Sequence, residues 1–366
     1  MLGAMRHDPR VRVTAAADLH RDHLERFERE FGGFTFTGAA DLCASPLVDV
    51  VYVATPHELH VAHATLAAMH GKHVLVEKPM ALTLEDCDRM IHAAESAGVV
   101  LMVGHTASFN PAISMMRQIV ASGRVGALAL ISATAYTDFL YQPRRPEELV
   151  TELGGGIMYN QVPHQVDAVR LVGGGLARTV RASAWKLDPN RPTEGCYTAF
   201  LTFDGGAAAS LVYSGYDHFL TSKRDGTSGA ARRSLHAVHN ADGEHAQRVQ
   251  SGYAGTGPLS ESDSLLQPEL GEFVVTCSGA DLRLTPEGVV VYDDTGMHTI
   301  RADKVTGRGA VLDELCSAIT RARPPVHDGR WAKATMEVCL AMLQSAREHR
   351  EVELYHQTTV LEHQAC

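Results

Sequence analysis

Three short stretches carry side chains that could do chemistry. Glu77-Lys78-Pro79 ends an apolar run from His73 to Val76, and a proline holds the residue before it in an extended conformation, so the Lys78 ammonium should project beyond a strand end. A lysine partly shielded from water and close to positive charge gives up its proton more readily. It can then polarise a hydroxyl or stabilise a developing alkoxide. The plainer reading of Lys78 is a surface lysine at a strand end.

The second stretch is Gly154-Gly155-Gly156-Ile157-Met158-Tyr159-Asn160-Gln161-Val162-Pro163-His164. Residues 160 and 164 are one turn apart on a single helical face, and histidine is the side chain best suited to take a proton near neutral pH. Asn160 could equally cap a helix, with Pro163 in its first turn. The third stretch, Arg144-Arg145, offers two planar forks matched to a carboxylate, or else a solvated loop. Twenty histidines also raise the question of a metal. His57, His60 and His63 recur at helical spacing, but no carboxylate follows at ligand distance, and no metal is expected.

Alternating strand and helix patterns position the first stretch. Val11 to Ala17 reads as a strand, Arg21 to Phe31 as a helix stopped by Gly32 and Gly33, Val48 to Ala54 as a strand and His60 to His70 as a helix. His73 to Val76, Leu84 to Ala97 and Val99 to Val103 repeat the step. Such alternation predicts a doubly wound parallel sheet. After Gly104 comes a helix, Ala112 to Ser122, and then strands in near-consecutive order: Ala127 to Thr137, Val180 to Lys186, Cys196 to Phe203, Ala207 to Tyr213, Phe273 to Thr276, Leu282 to Leu284 and Val289 to Tyr292. Two helices close the chain, Ala310 to Arg321 and Ala332 to Glu348. The expected organisation is an α/β domain over 1–104 and an α+β domain with a large, mostly antiparallel open sheet over 105–366. Residues 217–270, rich in Ser, Gly, Asp, His and Arg, read as a long loop.

In a dinucleotide-binding (Rossmann-type) domain, a first strand and a G-x-G-x-x-G turn set backbone N–H groups against a pyrophosphate. Neither occurs here. Met1 to Arg10 reads as the tail of a first helix, so the strand and turn are expected before Met1, in a truncated start. Asp18 remains at the end of the next strand, where a carboxylate could hold both ribose hydroxyls and repel a 2′-phosphate. This favours NAD, while nearby Arg21 keeps NADP open. The alternative for Asp18 is a turn or cap residue.

Val51-Tyr-Val-Ala-Thr-Pro-His-Glu-Leu-His60, followed by Gly71-Lys-His-Val-Leu-Val-Glu-Lys-Pro79, resembles the paired signature of the glucose-fructose oxidoreductase / inositol dehydrogenase (Gfo/Idh/MocA) family. The resemblance implies hydride transfer between a nicotinamide cofactor and a small hydroxylated molecule. Thr55, Pro56, His57, His60, Glu77, Lys78 and His105 would then line the cofactor, with Thr55 and Pro56 at the carboxyl edge of the sheet where ligands bind. Lys78 would contact the reacting hydroxyl and His164 would be the general base. Val103 to Pro111 and Pro324 to Gly329 also resemble the family's crossover and closing segments, although an Arg often found in the crossover is absent.

At position 160 the family usually has Asp. Asn160 removes a negative charge from the pocket and any charged pairing with His164, which, with Arg144 and Arg145, suits an anionic substrate such as a dicarboxylate. The glycine-triplet run resembles the phthalate cis-4,5-dihydrodiol dehydrogenase branch, in which a ring carbinol is oxidised and the product tautomerises to 4,5-dihydroxyphthalate. A sugar or inositol dehydrogenase of the same family is the alternative within enzymes. A non-catalytic NAD-sensing regulator is the alternative outside them, and the presence of Lys78 and His164 argues against it. A homo-oligomer formed through the open sheet is also implied by the resemblance.

Composition narrows the partners. The 366 residues are 45% hydrophobic and 21% charged, an ordinary globular balance, with a net charge of -10 that disfavours nucleic-acid binding. Seven cysteines without a C-x-x-C spacing fit a reducing cytoplasm. No apolar run reaches the roughly 18–20 residues needed to span a bilayer, and the start lacks a signal pattern.

Overall fold

The computed structural model describes residues 1–104, 107–221, 270–303 and 307–360. These form two compact units, one built from Met1–Gly104 with Arg308–Lys333 and the other from the rest of the described chain. The expected loop at 217–270 lies outside the described residues except for 217–221 and Leu270.

In the first unit the elements run α1 (Leu2–His7), β1 (Ala15–Ala17), α2 (Arg21–Phe31), β2 (Phe34–Phe36), α3 (Ala39–Ala44), β3 (Val50–Val53), α4 (His60–Met69), β4 (His73–Val76), α5 (Leu84–Ala97) and β5 (Leu101–Val103). All pairing is parallel: β1 with β2 in one sheet, and β3-β4-β5 in the other. This is a Rossmann-like arrangement. β4 is central and paired on both edges, so its continuous apolar run Val74-Leu75-Val76 is fully buried. α5 starts where the Thr83 hydroxyl accepts from the Asp86 N–H at 3.1 Å and stops at Gly98, whose φ of 65° few other residues tolerate.

The sequence boundary at 105 assigned residues 308–333 to the second domain, but they pack with the first unit. The Val103 N–H donates to the His327 carbonyl at 3.1 Å. At Gly329 an added Cβ would come within 2.8 Å of Ile91 and 2.9 Å of Leu101, so the chain comes closest where a side chain is lacking.

The second unit adds α6 (Pro111–Ala121), β6 (Leu128–Tyr136), α7 (Gly156–Asn160), α8 (Val162–Gly173), β7 (Ala177–Trp185), β8 (Cys196–Phe203), β9 (Ala208–Ser214), β10 (Glu272–Cys277), β11 (Asp281–Thr285), β12 (Gly288–Asp293), β13 (Gly296–Arg301) and β14 (Val352–Glu353). Nine strands form one sheet in the order β13-β12-β11-β10-β6-β9-β8-β7-β14. Only β6 with β9 is parallel.

Period-two alternation sorts the sheet's faces. Ile131, Ala133, Leu201, Ala209 and Leu211 are buried on one face, while Leu130, Trp185 and Phe200 on the other are 39%, 45% and 48% exposed. α8 covers the buried face, and the Tyr197 hydroxyl donates to Gln165 Oε1 at 2.6 Å to fix it there. Among the described residues no helix is long and apolar enough to cross a membrane.

Candidate active site

In the first unit, β3 and β4 end in register at Val53 and Val76. Thr55-Pro56 and Glu77-Lys78-Pro79 therefore leave the sheet side by side at its carboxyl edge. The last ladder contact is the Glu77 N–H on the Val53 carbonyl, 2.9 Å. Beyond it, side chains organise the segment. The Tyr52 hydroxyl donates to Glu77 Oε1, and burial together with the Glu77 charge holds that phenol well above its usual pKa. Glu77 Oε2 accepts the Lys78 N–H at 3.3 Å. Lys78 is half-buried and its peptide bond to Pro79 is cis.

His60 has a different role from the cofactor contact expected of it. It is fully buried, with Nδ1 2.9 Å from the Pro79 carbonyl and Nε2 2.9 Å from the Thr55 carbonyl. Both ring nitrogens are committed to backbone. His63 Nδ1 lies 3.2 Å from the Thr55 hydroxyl, and the His57 ring meets His60 edge-on at 5.7 Å. These three histidines are thus engaged separately, and no metal-type group of His, Cys, Asp or Glu occurs among the described residues.

Asp18 follows β1. Its Oδ1 accepts the His20 N–H at 2.8 Å, its Oδ2 lies 3.1 Å from His23 Nδ1, and its side chain remains 35% exposed. A carboxylate has about four acceptor positions, so ribose hydroxyls can still be taken. The donors and acceptors at these strand ends therefore fit a dinucleotide: Asp18 for a ribose, with Thr55-Pro56 and Glu77-Lys78 along the sheet edge. His105 lies outside the described residues.

In the second unit the glycine triplet is a packing device. An added Cβ at Gly155 would stand 2.5 Å from the Glu148 carbonyl oxygen, and one at Gly156, with φ at 74°, would stand 2.7 Å from the Thr193 side chain. Asn160 Nδ2 donates to the carbonyls of Gly154 (3.2 Å) and Gly156 (2.9 Å) and so braces the turn. An ionised Asp could donate to neither.

Asn160 and His164 do not share one continuous helix. α7 ends at Asn160 and α8 begins at Val162. Pro163 has no N–H for the Tyr159 carbonyl, which breaks the ladder between them. His164 is 5% exposed in the first turn of α8, its N–H on the Gln161 carbonyl at 3.1 Å.

The arginine pair is not the paired fork expected from the sequence. Arg145 faces Glu147 at 3.4 Å and Glu148 at 3.6 Å, acids supplied two and three residues later. Arg144 is buried, its guanidinium 3.8 Å from the Phe139 ring centroid, with Nη2 donating to the Phe139 carbonyl at 2.6 Å. Local partners hold both cations.

Sequence reasoning missed the polar layer behind His164. Arg170, fully buried on α8, donates to the Thr335 hydroxyl (2.7 Å) and to Gln357 Oε1 (2.8 Å), while the Thr335 hydroxyl donates to Asp167 (2.9 Å). Its available signal was the pair Asp167 and Arg170, three residues apart within the otherwise apolar stretch Val166–Val172. A cavity of about 780 Å³ in the same unit is lined by Tyr136, Trp185, Asp188, Cys196 and Phe219 among others. Arg144, Arg145, Asn160 and His164 do not line it.

Residues 1–105 match the model of an oxidoreductase family with an NAD-binding Rossmann fold, and residues 113–224 match that of the GFO/IDH/MocA C-terminal domain. The chain is 38% identical to a 1-carboxy-3-chloro-3,4-dihydroxycyclohexa-1,5-diene dehydrogenase of Comamonas testosteroni, spanning 95% of this chain and 91% of that protein. It is 33% identical to a trans-1,2-dihydrobenzene-1,2-diol dehydrogenase of Mus musculus over 40% of this chain and 44% of that one. A solved structure from Bordetella bronchiseptica RB50 is 43% identical with a TM-score of 0.89, covering 96% of this chain and 95% of that one. A levoglucosan dehydrogenase complexed with NADH and levoglucosan shares the fold, with a TM-score of 0.74 at 16% identity and coverage of 94% and 90%.

Proposed function

This chain belongs to the GFO/IDH/MocA oxidoreductase family and is an NAD-dependent enzyme acting on a small hydroxyl-bearing substrate, and we propose that its substrate is a carboxylated cyclohexadiene dihydrodiol, which it oxidises toward an aromatic diol. The carrying observation is the likeness, nearly end to end, to a dehydrogenase named for a carboxylated dihydroxycyclohexadiene. Asn160 supports the reading. A neutral brace at that position places no negative charge near an anionic substrate, whereas an ionised Asp would repel it.

Bound NAD supplies the hydride acceptor, and Asp18 would hold its ribose hydroxyls. Lys78 would donate a hydrogen bond to the reacting oxygen and stabilise charge developing on it. His164 would take the hydroxyl proton, so that the O–H and C–H bonds break as the carbonyl forms. The resulting ring ketone is a tautomer of an aromatic diol, and aromatisation draws the reaction toward oxidation. Since Arg144 and Arg145 are held by Phe139 and by Glu147 and Glu148, no carboxylate role is given to them.

The test is a screen with NAD of phthalate cis-4,5-dihydrodiol against myo-inositol and glucose, followed by NADH fluorescence. The expected result is turnover of the acid diol well above either polyol; turnover of a neutral polyol alone rejects the substrate. Lys78→Met and His164→Ala should each lower kcat by about 10²-fold or more without loss of fold. Near-normal rates in both variants reject the assigned roles.

A homo-oligomer formed through the open sheet face is part of the same proposal, supported by the exposure of Leu130, Trp185 and Phe200. So is residence in a reducing cytoplasm, supported by free thiols at Cys43, Cys87, Cys196, Cys277, Cys316 and Cys339.

A further inference from the structure

After Glu77 the backbone has left the β-ladder, and Pro79 carries no N–H with which to rejoin it. The carbonyls of Thr55 and Pro79 lie on adjacent strand ends, and each needs a donor. A single rigid ring stands between them. His60, fully buried on the first turn of α4, has Nε2 2.9 Å from the Thr55 oxygen and Nδ1 2.9 Å from the Pro79 oxygen. Its partners lie five residues before it and nineteen after it, so the imidazole ties two segments that the sheet no longer joins.

We propose that His60 is a positioning residue: standing between the Thr55 and Pro79 carbonyls and donating its one N–H to the Pro79 oxygen, it fixes the main chain just beyond Lys78 to the start of α4 and thereby sets where the Lys78 amine stands. The proposal rests on the reading that Lys78 serves the reaction. Glu77 holds the segment from the other side, accepting from the Tyr52 hydroxyl and the Lys78 N–H. His60 carries the part of the constraint that lies beyond Lys78.

The chemistry of the ring gives the proposal a directional test. A neutral ring donates from one nitrogen only, and the two amides separate the tautomers: asparagine reproduces donation from Nδ1, here toward Pro79, and glutamine reproduces donation from Nε2, here toward Thr55. His60→Leu removes the donor whichever nitrogen carries it. If the bond to Pro79 is the one that positions Lys78, His60→Asn should rescue more of the activity than His60→Gln.

The experiment compares the three variants, alone and combined with Lys78→Met, in the 366-residue chain with NAD and the acid dihydrodiol used above. Circular dichroism confirms the fold of each. His60→Leu is expected to lower kcat by about 10–100-fold with KM and the NADH Kd within about threefold, the pattern of a lost transition-state contact. His60→Asn should recover to within about fivefold of the parent. In the Lys78→Met background, His60→Leu should remove less than a further twofold or so, because residues acting through one another are not additive.

Amide hydrogen exchange at Lys78 and Met80 reads the tether without any turnover, and it should quicken about tenfold or more in His60→Leu. Unchanged exchange at both amides overturns the proposal. So does an equal loss of rate in the presence and absence of Lys78. A near-normal Lys78→Met enzyme instead refutes the role of Lys78, and with it the step from a held segment to rate, while the exchange measurement still decides whether His60 holds the segment.

Discussion

His60 shows how one side chain can be pulled in two directions. Burial favours the neutral ring, and the two carbonyls and the Glu77 charge favour the cation; burial is the larger effect and pushes the pKa below the ordinary 6.5. The folded chain thus keeps the ring neutral at a pH where the unfolded chain has already taken up a proton. The contribution of this site to stability is therefore complete above the unfolded value of 6.5, and it is lost as the pH falls from there toward the folded value. The unfolded chain holds up to one proton more in that window, so the slope is at most about 1.4 kcal/mol per pH unit. Urea melts between neutral and mildly acid pH should show this slope in the parent and a shallower one in His60→Asn. Equal slopes would mean that the ring titrates alike in both states.

Helix α8 depends on Arg170 for its seating. Burial pushes the guanidinium down to about 10, which still leaves it a cation at neutral pH, and the nearby carboxylates of Asp167 and Glu337 offset the burial. Arg170→Met would leave the buried Asp167 without its neighbouring cation, with the Thr335 hydroxyl still donating to it, and is expected to cost about 3–5 kcal/mol. Thr335→Val, which removes one hydroxyl from the relay to Asp167, should cost about 1–3 kcal/mol. Chemical denaturation of the two variants checks both the size and the order, and a larger loss in the valine variant would contradict this account.

The sequence made some elements of this frame plain. Helix α5 was legible because Thr83 starts it and Gly98 stops it, and β4 because its apolar run is uninterrupted. β13 was not, since five of its six residues are exposed and leave no alternation to read. β2 is only three residues long. The motifs around Lys78 and His164 could be found from residue type and spacing. The bridging role of His60 could not, because it depends on carbonyls brought together by folding. The neutralisation of Arg145 was within reach, since Glu147 and Glu148 follow directly in the chain; the stacking of Arg144 on Phe139 was not.

The nine-stranded sheet leaves its outer face with Leu130, Trp185 and Phe200 in solvent. If a second copy covers that face, Phe200→Glu should shift the protein to a smaller species in light scattering while its circular dichroism is unchanged; an unaltered mass would remove this face from the assembly. The order of strands has a further consequence. β7-β8-β9 and β10-β11-β12-β13 are each runs of sequence neighbours that can pair locally, and β6 alone joins the two runs, through β9 on one edge and β10 on the other. Yet β6 leaves the ribosome before either run. At ordinary rates of synthesis it waits on the order of ten seconds for its second neighbour. The strand that unites the sheet is thus the one that waits longest with neither edge paired, and it is there that a nascent chain of this protein would most need a chaperone.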